Sequence, residues 1–248
     1  TSDIASSGTQ TYGGPVTLAS GYAVGGVLKP MVLSSANGNI VFNSTLVAGA
    51  ASLTNKQSLN ISAPRGQIVF GDRVGADIID ADTKQLLQFS SAYLNSPNIF
   101  NLDVAANSIL IKGNITTFGN QTYTGHVLIG DNGNNGLTRV LLSEDPSITF
   151  KGPVDDAQAN THNLVVAAIA IDPNQDQAVT FNGAVGSVAP LASLTVKTGV
   201  QNQEANALIS AIATNPNNYS GAVNILSDVT TSGNQTYTAN TIGLGSSL

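Results

Sequence analysis

The chain contains no cysteine and no tryptophan, and Met31 is its single methionine. Without cysteine it has neither disulfide bonds nor thiolate ligands for a metal. Charged residues are also scarce, at 10% of the 248 residues, whereas an ordinary soluble domain has about 25%. The hydrophobic share of 42% is nevertheless sufficient for a core, so the low charge does not indicate disorder.

Long apolar runs and basic patches are missing as well. No apolar run reaches the about 18 residues that a membrane span requires, and the formal net charge is −6. A negative chain gains no electrostatic attraction to nucleic acid or to anionic lipid. We therefore expect neither nucleic-acid binding nor membrane insertion. Glycine-rich phosphate-binding loops and the Gly-x-Ser-x-Gly frame of a nucleophilic serine are also absent from the sequence.

A ten-residue phrase occurs three times, as DIASSGTQTY, NITTFGNQTY and DVTTSGNQTY. It ends at Tyr12, Tyr123 and Tyr237, which are 111 and then 114 residues apart. A repeat of long period indicates similar units stacked along one axis. We predict one continuous array over residues 1–248 with long repeats at about 3–113, 114–227 and 228–248 (partial). Because the phrase occurs close to both ends, we expect the chain to be a fragment of a longer array.

A shorter phrase recurs inside each long unit: two strand-favouring residues, an aromatic residue, a small polar pair and an aliphatic residue. Within it, alternate residues are apolar, which is typical of short strands buried on one face. In stacked coils, equivalent residues lie about 4.8 Å apart, so the aromatic residues are predicted to form one internal ladder. Its predicted members are Tyr12, Phe42, Phe70, Tyr123, Phe150, Phe181 and Tyr237.

The spacing of these phrases predicts an all-β fold, a parallel β-helix in which each coil takes twenty to forty residues. Two segments interrupt the pattern, at 83–93 and 204–214. The second has helix-favouring composition and is stopped by Pro216. We predict that both are irregular loops or short helices inserted between coils.

The phrases resemble those of filamentous-haemagglutinin-like adhesins and β-strand-repeat surface proteins of bacteria. The matching segments are 115–127, 147–154 and 179–196, with weaker copies at 40–47 and 68–74. This resemblance implies a right-handed β-helix and an extracellular or cell-surface location. It also implies a role in attachment or matrix formation, with host surfaces, neighbouring cells or glycans as partners and self-association as a further option.

Candidate chemical sites are few. Alternating oxygen ligands at Asp172, Asn174 and Asp176 are weak candidates for calcium, although the distal glutamate of an EF-hand is missing. Otherwise we expect no cofactor and no metal. The histidines, His126 and His162, are expected to lie at the surface without nearby carboxylates. The acidic groups expected to be solvated corner residues rather than catalytic pairs are Asp77, Asp80, Asp82, Glu144, Asp145, Asp155 and Asp156.

The sequence thus predicts a non-enzymatic protein, the structural shaft and contact surface of a large secreted adhesin. A self-assembling extracellular filament, sheath or surface-layer subunit is the first alternative. A β-helical polysaccharide lyase or hydrolase is the second, and it would require carboxylates that converge from adjacent coils.

Overall fold

The computed structural model describes residues 3–19, 23–24, 27–49, 57–75, 99–133, 137–144, 147–170, 177–200 and 221–245. Within these ranges the protein is all-β, and every strand pairing except one two-residue hairpin is parallel. The predicted insertions at 83–93 and 204–214 lie outside the described residues, as does the calcium candidate at 172–176.

The larger sheet has twelve strands. Its main path is, in spatial order, β1 (Ile4–Ser6), β6 (Met31–Ser35), β9 (Leu59–Phe70), β10 (Leu102–Ile111), β12 (Gln121–Ile129), β14 (Ser147–Phe150), β17 (Ala178–Phe181), β19 (Ala222–Ile225) and β21 (Thr241–Leu244). Alongside this path, β2 (Gln10–Tyr12) pairs with β7 (Ile40–Phe42), β7 pairs with β9, and β15 (Val154–Asp156) pairs with β12.

The second sheet has five strands. They are, in order, β11 (Ile115–Thr117), β13 (Thr138–Ser143), β16 (Asn163–Ala170), β18 (Ser193–Val200) and β20 (Gln235–Thr238). Two smaller pairs complete the described strands: β3 (Val16–Leu18) is parallel to β8 (Leu46–Ala48), and β4 (Ala23–Val24) forms the antiparallel hairpin with β5 (Val27–Leu28).

From β10 onward the chain alternates between the two sheets, with β14 and β15, which both pair with β12, counted as one run through the larger sheet. Each return adds a parallel strand beside the previous one. We call one run through the larger sheet and then the second sheet a passage. Parallel neighbours require a crossover connection, and here the intervening strand of the other sheet supplies it. Each passage therefore bonds through its backbone to the passages before and after it.

The core lies on the inner faces of both sheets. In strands such as β14, apolar inward residues alternate with outward ones, so that Ile148 and Phe150 are buried on either side of the half-exposed Thr149. The parallel register places inward residues of successive passages directly above one another, so that Ile148 pairs with Val179 and Phe150 with Phe181. The core is consequently a set of apolar columns running across the passages.

Asparagine side chains bind consecutive passages together where strands begin. The Asn101 Oδ1 atom accepts a bond from the backbone amide of Asn120 at 2.8 Å. Asn120 repeats the arrangement one passage later, since its Oδ1 accepts from the amide and the hydroxyl of Ser147 at 3.1 and 2.9 Å. Asparagine side chains thus satisfy backbone donors at these turns.

Glycine occupies one position in three successive passages: Gly125 within β12, Gly152 between β14 and β15, and Gly183 after β17. A Cβ on Gly152 would lie 2.2 Å from the carbonyl oxygen of Gly125, and one on Gly183 would lie 2.4 Å from the carbonyl carbon of Gly152. Gly125 also has a φ of 127°, which only glycine adopts readily. At this position the backbones of successive passages are too close for any side chain.

Candidate functional site

Six of the seven residues of the predicted ladder lie in two separate stacks. Tyr12, Phe42 and Phe70 form the first, with ring centroids 5.0 and 5.8 Å apart. The second consists of Tyr123, Phe150 and Phe181, with spacings of 5.3 and 4.9 Å and ring planes within 15° and 5° of parallel. The structure therefore brings six of the seven predicted residues into ring contact, in two columns and not in one.

The two stacks occupy different columns of the larger sheet. The first runs from Phe70 into Ile111 and then Ile129. The second begins opposite Val104 and continues from Phe181 into Ile225. Aliphatic residues therefore extend each aromatic stack.

Tyr237 lies in the second sheet, where it pairs with Val196 and is only partly buried. Both stacks belong to the larger sheet, so Tyr237 lies in a different sheet although it ends the same phrase as Tyr12 and Tyr123.

The three copies of the long phrase nevertheless share one hydrogen-bond arrangement. In each, the tyrosine hydroxyl donates to the Oε1 atom of the glutamine two residues earlier, at 2.9 Å from Tyr12, 2.8 Å from Tyr123 and 3.0 Å from Tyr237. In each, a Ser or Thr hydroxyl also donates to the carbonyl of the following corner glycine. The phrase therefore encodes the same hydrogen-bonded corner in all three copies.

The three copies of this corner lie between different strands. In the first copy it joins β1 to β2, both in the larger sheet. In the second it joins β11 of the second sheet to β12 of the larger one, and in the third it leads into β20 of the second sheet. Burial differs accordingly: Tyr123 is fully buried and its pKa is raised well above the ordinary value by that burial.

The outer face of the larger sheet presents a row of uncharged polar residues. Thr122, Thr149 and Thr180 are register partners in three adjacent strands, and Asn224 follows Thr180. All four are half-exposed. Their regular spacing and hydroxyl and amide groups make this row the candidate contact surface, which we call the threonine row.

In the second sheet, one row of outward positions is covered instead of exposed. Its outward positions Thr116, Leu142, Ala167 and Lys197 are paired in register and are all buried. Burial lowers the pKa of the Lys197 ammonium group. An external partner can therefore approach the outer face of the larger sheet more readily than this part of the second sheet.

Both histidines bond to carboxylates, which corrects the expectation that they lack acidic neighbours. The His126 Nε2 atom lies 2.8 Å from Oδ2 of Asp155. His162, only 2% exposed, lies with Nδ1 2.5 Å from Oδ1 of Asp156 and with Nε2 2.8 Å from Oδ2 of Asp131. Parallel pairing of β12 with β15 brings these distant residues together.

Asp155 and Asp156 are not solvated corner residues, as the sequence had suggested, since they are only 1% and 2% exposed. Backbone amides satisfy them instead. Asp155 Oδ1 accepts from the amides of Val188 and Ala189 at 3.0 and 3.1 Å. Asp156 accepts from the amides of Gln158, Thr161 and His162 at 2.9, 2.9 and 2.8 Å. The two carboxylates thus hold a corner and its neighbours in place.

Glu144 is likewise buried, at 1% exposure, which also departs from the solvated position expected for it. The other acidic candidates, at positions 77, 80, 82 and 145, lie outside the described residues.

Asp131 and Arg139 lie beside these groups, and together with Asp155, Asp156, His126 and His162 they form what we call the acidic corner. The His162 hydrogen bond is the largest of the effects that lower the pKa of Asp131, followed by the bond from the Gly133 amide. Arg139 is fully buried and donates through Nε to the carbonyl of Gly130 at 2.6 Å. Burial lowers the pKa of Arg139, and the charge of Asp131 opposes that effect.

One row on the outer surface has the residue types of a hydrolytic triad. Ser108 is the register partner of His126, and Asp155 holds the imidazole from the next passage. The Ser108 hydroxyl, however, accepts from the Gln67 side chain at 3.1 Å. Within the described residues no hydrogen bond joins Ser108 to His126. A nucleophilic serine depends on such a bond to its base, so we assign the row no reaction.

In the described ranges, no cluster of three or more acidic or histidine side chains is arranged to hold a metal ion. The same part of the chain contains no helix with the length and apolar character needed to cross a bilayer. Comparisons with protein-family models, curated protein sequences and solved structures find no match to this chain.

Proposed function

We propose that the chain winds as a right-handed parallel β-helix and forms the shaft and contact surface of a large secreted bacterial adhesin. There it would take part in attachment or in matrix formation at the cell surface. The observation that carries the proposal is the in-register addition of one parallel strand per passage in both sheets. The handedness follows the resemblance of the repeat phrases and the strong preference for right-handed crossovers between parallel strands.

Such an array is mechanically suited to a shaft. The backbone groups of inner passages bond on both sides, and the column from Val104 through Tyr123, Phe150 and Phe181 to Ile225 contains no charged residue. Each added passage lengthens the array by about 4.8 Å without requiring a new core design. Length and rigidity are therefore obtained from a short repeated phrase.

The threonine row is the proposed contact surface. Uncharged hydroxyl and amide groups exchange hydrogen bonds with glycans without the desolvation cost of charged groups. Each contact of this kind is weak, but equivalent contacts repeated at about 4.8 Å reinforce one another when a partner is itself repetitive. A polysaccharide or a dense glycan layer is the class of partner that fits this geometry.

Binding by the purified chain tests this proposal directly. We would measure adhesion to glycan arrays and to cell surfaces for the wild type and for Thr122→Ala/Thr149→Ala/Thr180→Ala. A matched control is Thr11→Ala/Thr236→Ala, which removes two exposed threonines elsewhere. We expect the triple variant to lose most of the binding and the control to keep it. Equal binding by all three proteins would show that the threonine row is not the contact surface. The absence of binding by the wild type would restrict the proposal to the shaft.

Self-assembly into a filament or sheath is favoured by one observation. The outermost strands of the larger sheet, β1 and β21, expose Ile4 at 44%, Ile242 at 45% and Leu244 at 77%. Another strand laid against either edge would bury these side chains. Sedimentation velocity over a range of concentrations distinguishes the two candidates, because a Leu244→Lys variant should dissociate a filament and leave a monomeric shaft unchanged.

The polysaccharide-cleaving alternative gains less support. Three carboxylates do converge from neighbouring passages, at Asp131, Asp155 and Asp156. Two of them are buried and bonded to backbone amides and to imidazoles, and only Asp131 is open to solvent, with a side chain that is 34% exposed. A glycosidic bond needs two carboxyl groups that reach it from opposite sides, and this corner presents one.

A further inference from the structure

The hydrogen bonds among Asp131, His162 and Asp156 depend on how many protons the His162 ring carries, which is a property separate from the proposed function. Both imidazole nitrogens face a carboxylate oxygen, at 2.5 Å from Asp156 and 2.8 Å from Asp131. An ionised carboxylate can only accept hydrogen bonds, and a neutral imidazole has only one N–H to donate. Both contacts are therefore satisfied together only when the ring carries a proton on each nitrogen.

A proton on the carboxyl group of Asp131 or Asp156 would also satisfy both contacts, but the hydrogen bonds around these two groups disfavour it. Asp156 accepts three backbone N–H bonds besides the imidazole, and such bonds stabilise the ionised form. The pKa of Asp131 is lowered by the same imidazole and by the Gly133 amide. The second proton accordingly belongs to the ring.

The charge balance of the corner points the same way. Three carboxylates, Asp131, Asp155 and Asp156, lie beside one permanently charged side chain, Arg139, and two imidazoles. Protonation of both imidazoles makes the group neutral, whereas their deprotonation leaves two negative charges in excess. Because part of this corner is buried, an uncompensated charge there is costly.

We propose that Asp131, His162 and Asp156 form a proton-operated latch that fastens residues 131–133 to the corner at 156–162. With the imidazole doubly protonated, both bonds hold. When the ring loses one proton, the bond to Asp131 breaks, because Asp156 is buried and fixed by backbone amides while Asp131 is one-third exposed and can turn to water. The neutral ring then keeps Nδ1–H on Asp156, and its Nε2 lone pair repels the Asp131 carboxylate.

His126 provides an internal reference in the same molecule. It bonds to a single carboxylate, Asp155, and its side chain is 34% exposed. Loss of one proton from His126 leaves its N–H···Asp155 bond intact, because only one ring nitrogen is engaged. The latch therefore predicts a conformational response at His162 and none at His126.

Nuclear magnetic resonance of the whole chain, labelled with ¹⁵N in histidine and glycine, tests the latch. We expect two protonated ring nitrogens on His162 at mildly acidic pH, and loss of the Nε2 proton alone as the pH rises. The Gly133 amide, which donates to Asp131 Oδ1 at 2.7 Å, should change its chemical shift in the same step. A singly protonated His162 ring throughout the range in which Asp131 is ionised would overturn the proposal.

Asp131→Asn is the matched variant, because its side chain keeps the shape and the accepting oxygen but removes the charge. We expect its His162 Nε2 proton to be lost at lower pH than in the wild type, while His126 is unaffected. An unchanged His162 step would contradict the latch. If the variant does not fold, the wild-type ring and Gly133 spectra still decide the matter.

Discussion

Two parts of the molecule hold successive passages together by opposite means. In the aromatic column of Tyr123, Phe150 and Phe181, like residues stack on like residues in register. In the acidic corner around Asp156, one passage supplies carboxylates, and its neighbours supply His126 and the amides of Val188 and Ala189. The column is made by repetition, whereas the corner is made of residues that occur there once.

The column and the corner differ in the amino-acid substitutions that they tolerate. An apolar column loses free energy in proportion to the area and volume removed, and neighbouring rings partly close the gap. A buried polar corner is stable only when each donor and acceptor is matched, so removal of one partner leaves others unsatisfied. We therefore expect the column to respond to changes of size and the corner to respond to changes of charge.

The largest effect is expected in the column, from Phe150→Ala. The ring is fully buried between Tyr123 and Phe181, and a deletion of this size costs about 3–5 kcal/mol of unfolding free energy. Chemical denaturation followed by circular dichroism measures it. Phe150→Leu, which keeps most of the volume, should cost less than half as much, and equal losses for the two variants would argue against size as the cause.

In the corner, Asp156→Asn should destabilise the fold although it hardly alters volume. The amide cannot accept the bonds that both carboxylate oxygens now receive, and it leaves the buried His162 ring without its nearest carboxylate. We expect a loss of about 2–4 kcal/mol. Asp103→Asn, at an exposed position of β10, is the control and should be nearly neutral. A neutral Asp156→Asn would remove the distinction drawn between column and corner.

A finer test uses one hydrogen bond in two settings. Tyr123→Phe removes the hydroxyl that donates to the buried Gln121, and the unsatisfied acceptor should cost about 1 kcal/mol. Tyr237→Phe removes the same bond from the exposed Gln235, where water replaces it. We expect almost no change there. Equal losses in the two unfolding curves would mean that the bond itself, and not its burial, determines the energy.

The sequence predicts the column much better than the corner, for a physical reason. Stacking in register requires the same residue type at the same phase of each passage, so the phrases around Phe42, Phe70, Phe150 and Phe181 reveal strands, faces and parallel stacking. The phrase does not reveal which strands it connects or to which sheet they belong. The corner bonds of DVTTSGNQTY form at Tyr237 as at Tyr123, but the strand that follows belongs to the other sheet.

The corner was missed because its partners share no phrase and lie 29 and 31 residues apart in sequence. Only parallel pairing of β12 with β15 brings them together. One signal was present all the same. Asp156 occupies the inward position that Ile111 and Ile129 hold in the preceding passages. A carboxylate at an inward, apolar phase implies a buried partner, and a histidine six residues later was available.

Acid should weaken the corner while leaving the column intact, and this is the smallest effect expected. The imidazole and the Gly133 amide lower the pKa of Asp131 in the folded protein. The bond therefore adds stability above the ordinary carboxyl pKa of about 4, and that contribution is lost as the pH falls through the folded-state value. Asp131→Asn lacks the charge at every pH, so the urea midpoints of wild type and variant should differ at mildly acidic pH, where the latch is closed, and converge in strong acid. Because water screens this partly exposed side chain, the difference should be smaller than for Asp156→Asn. A gap that stays constant down to strongly acidic pH would show that the charge of Asp131 does not stabilise the corner.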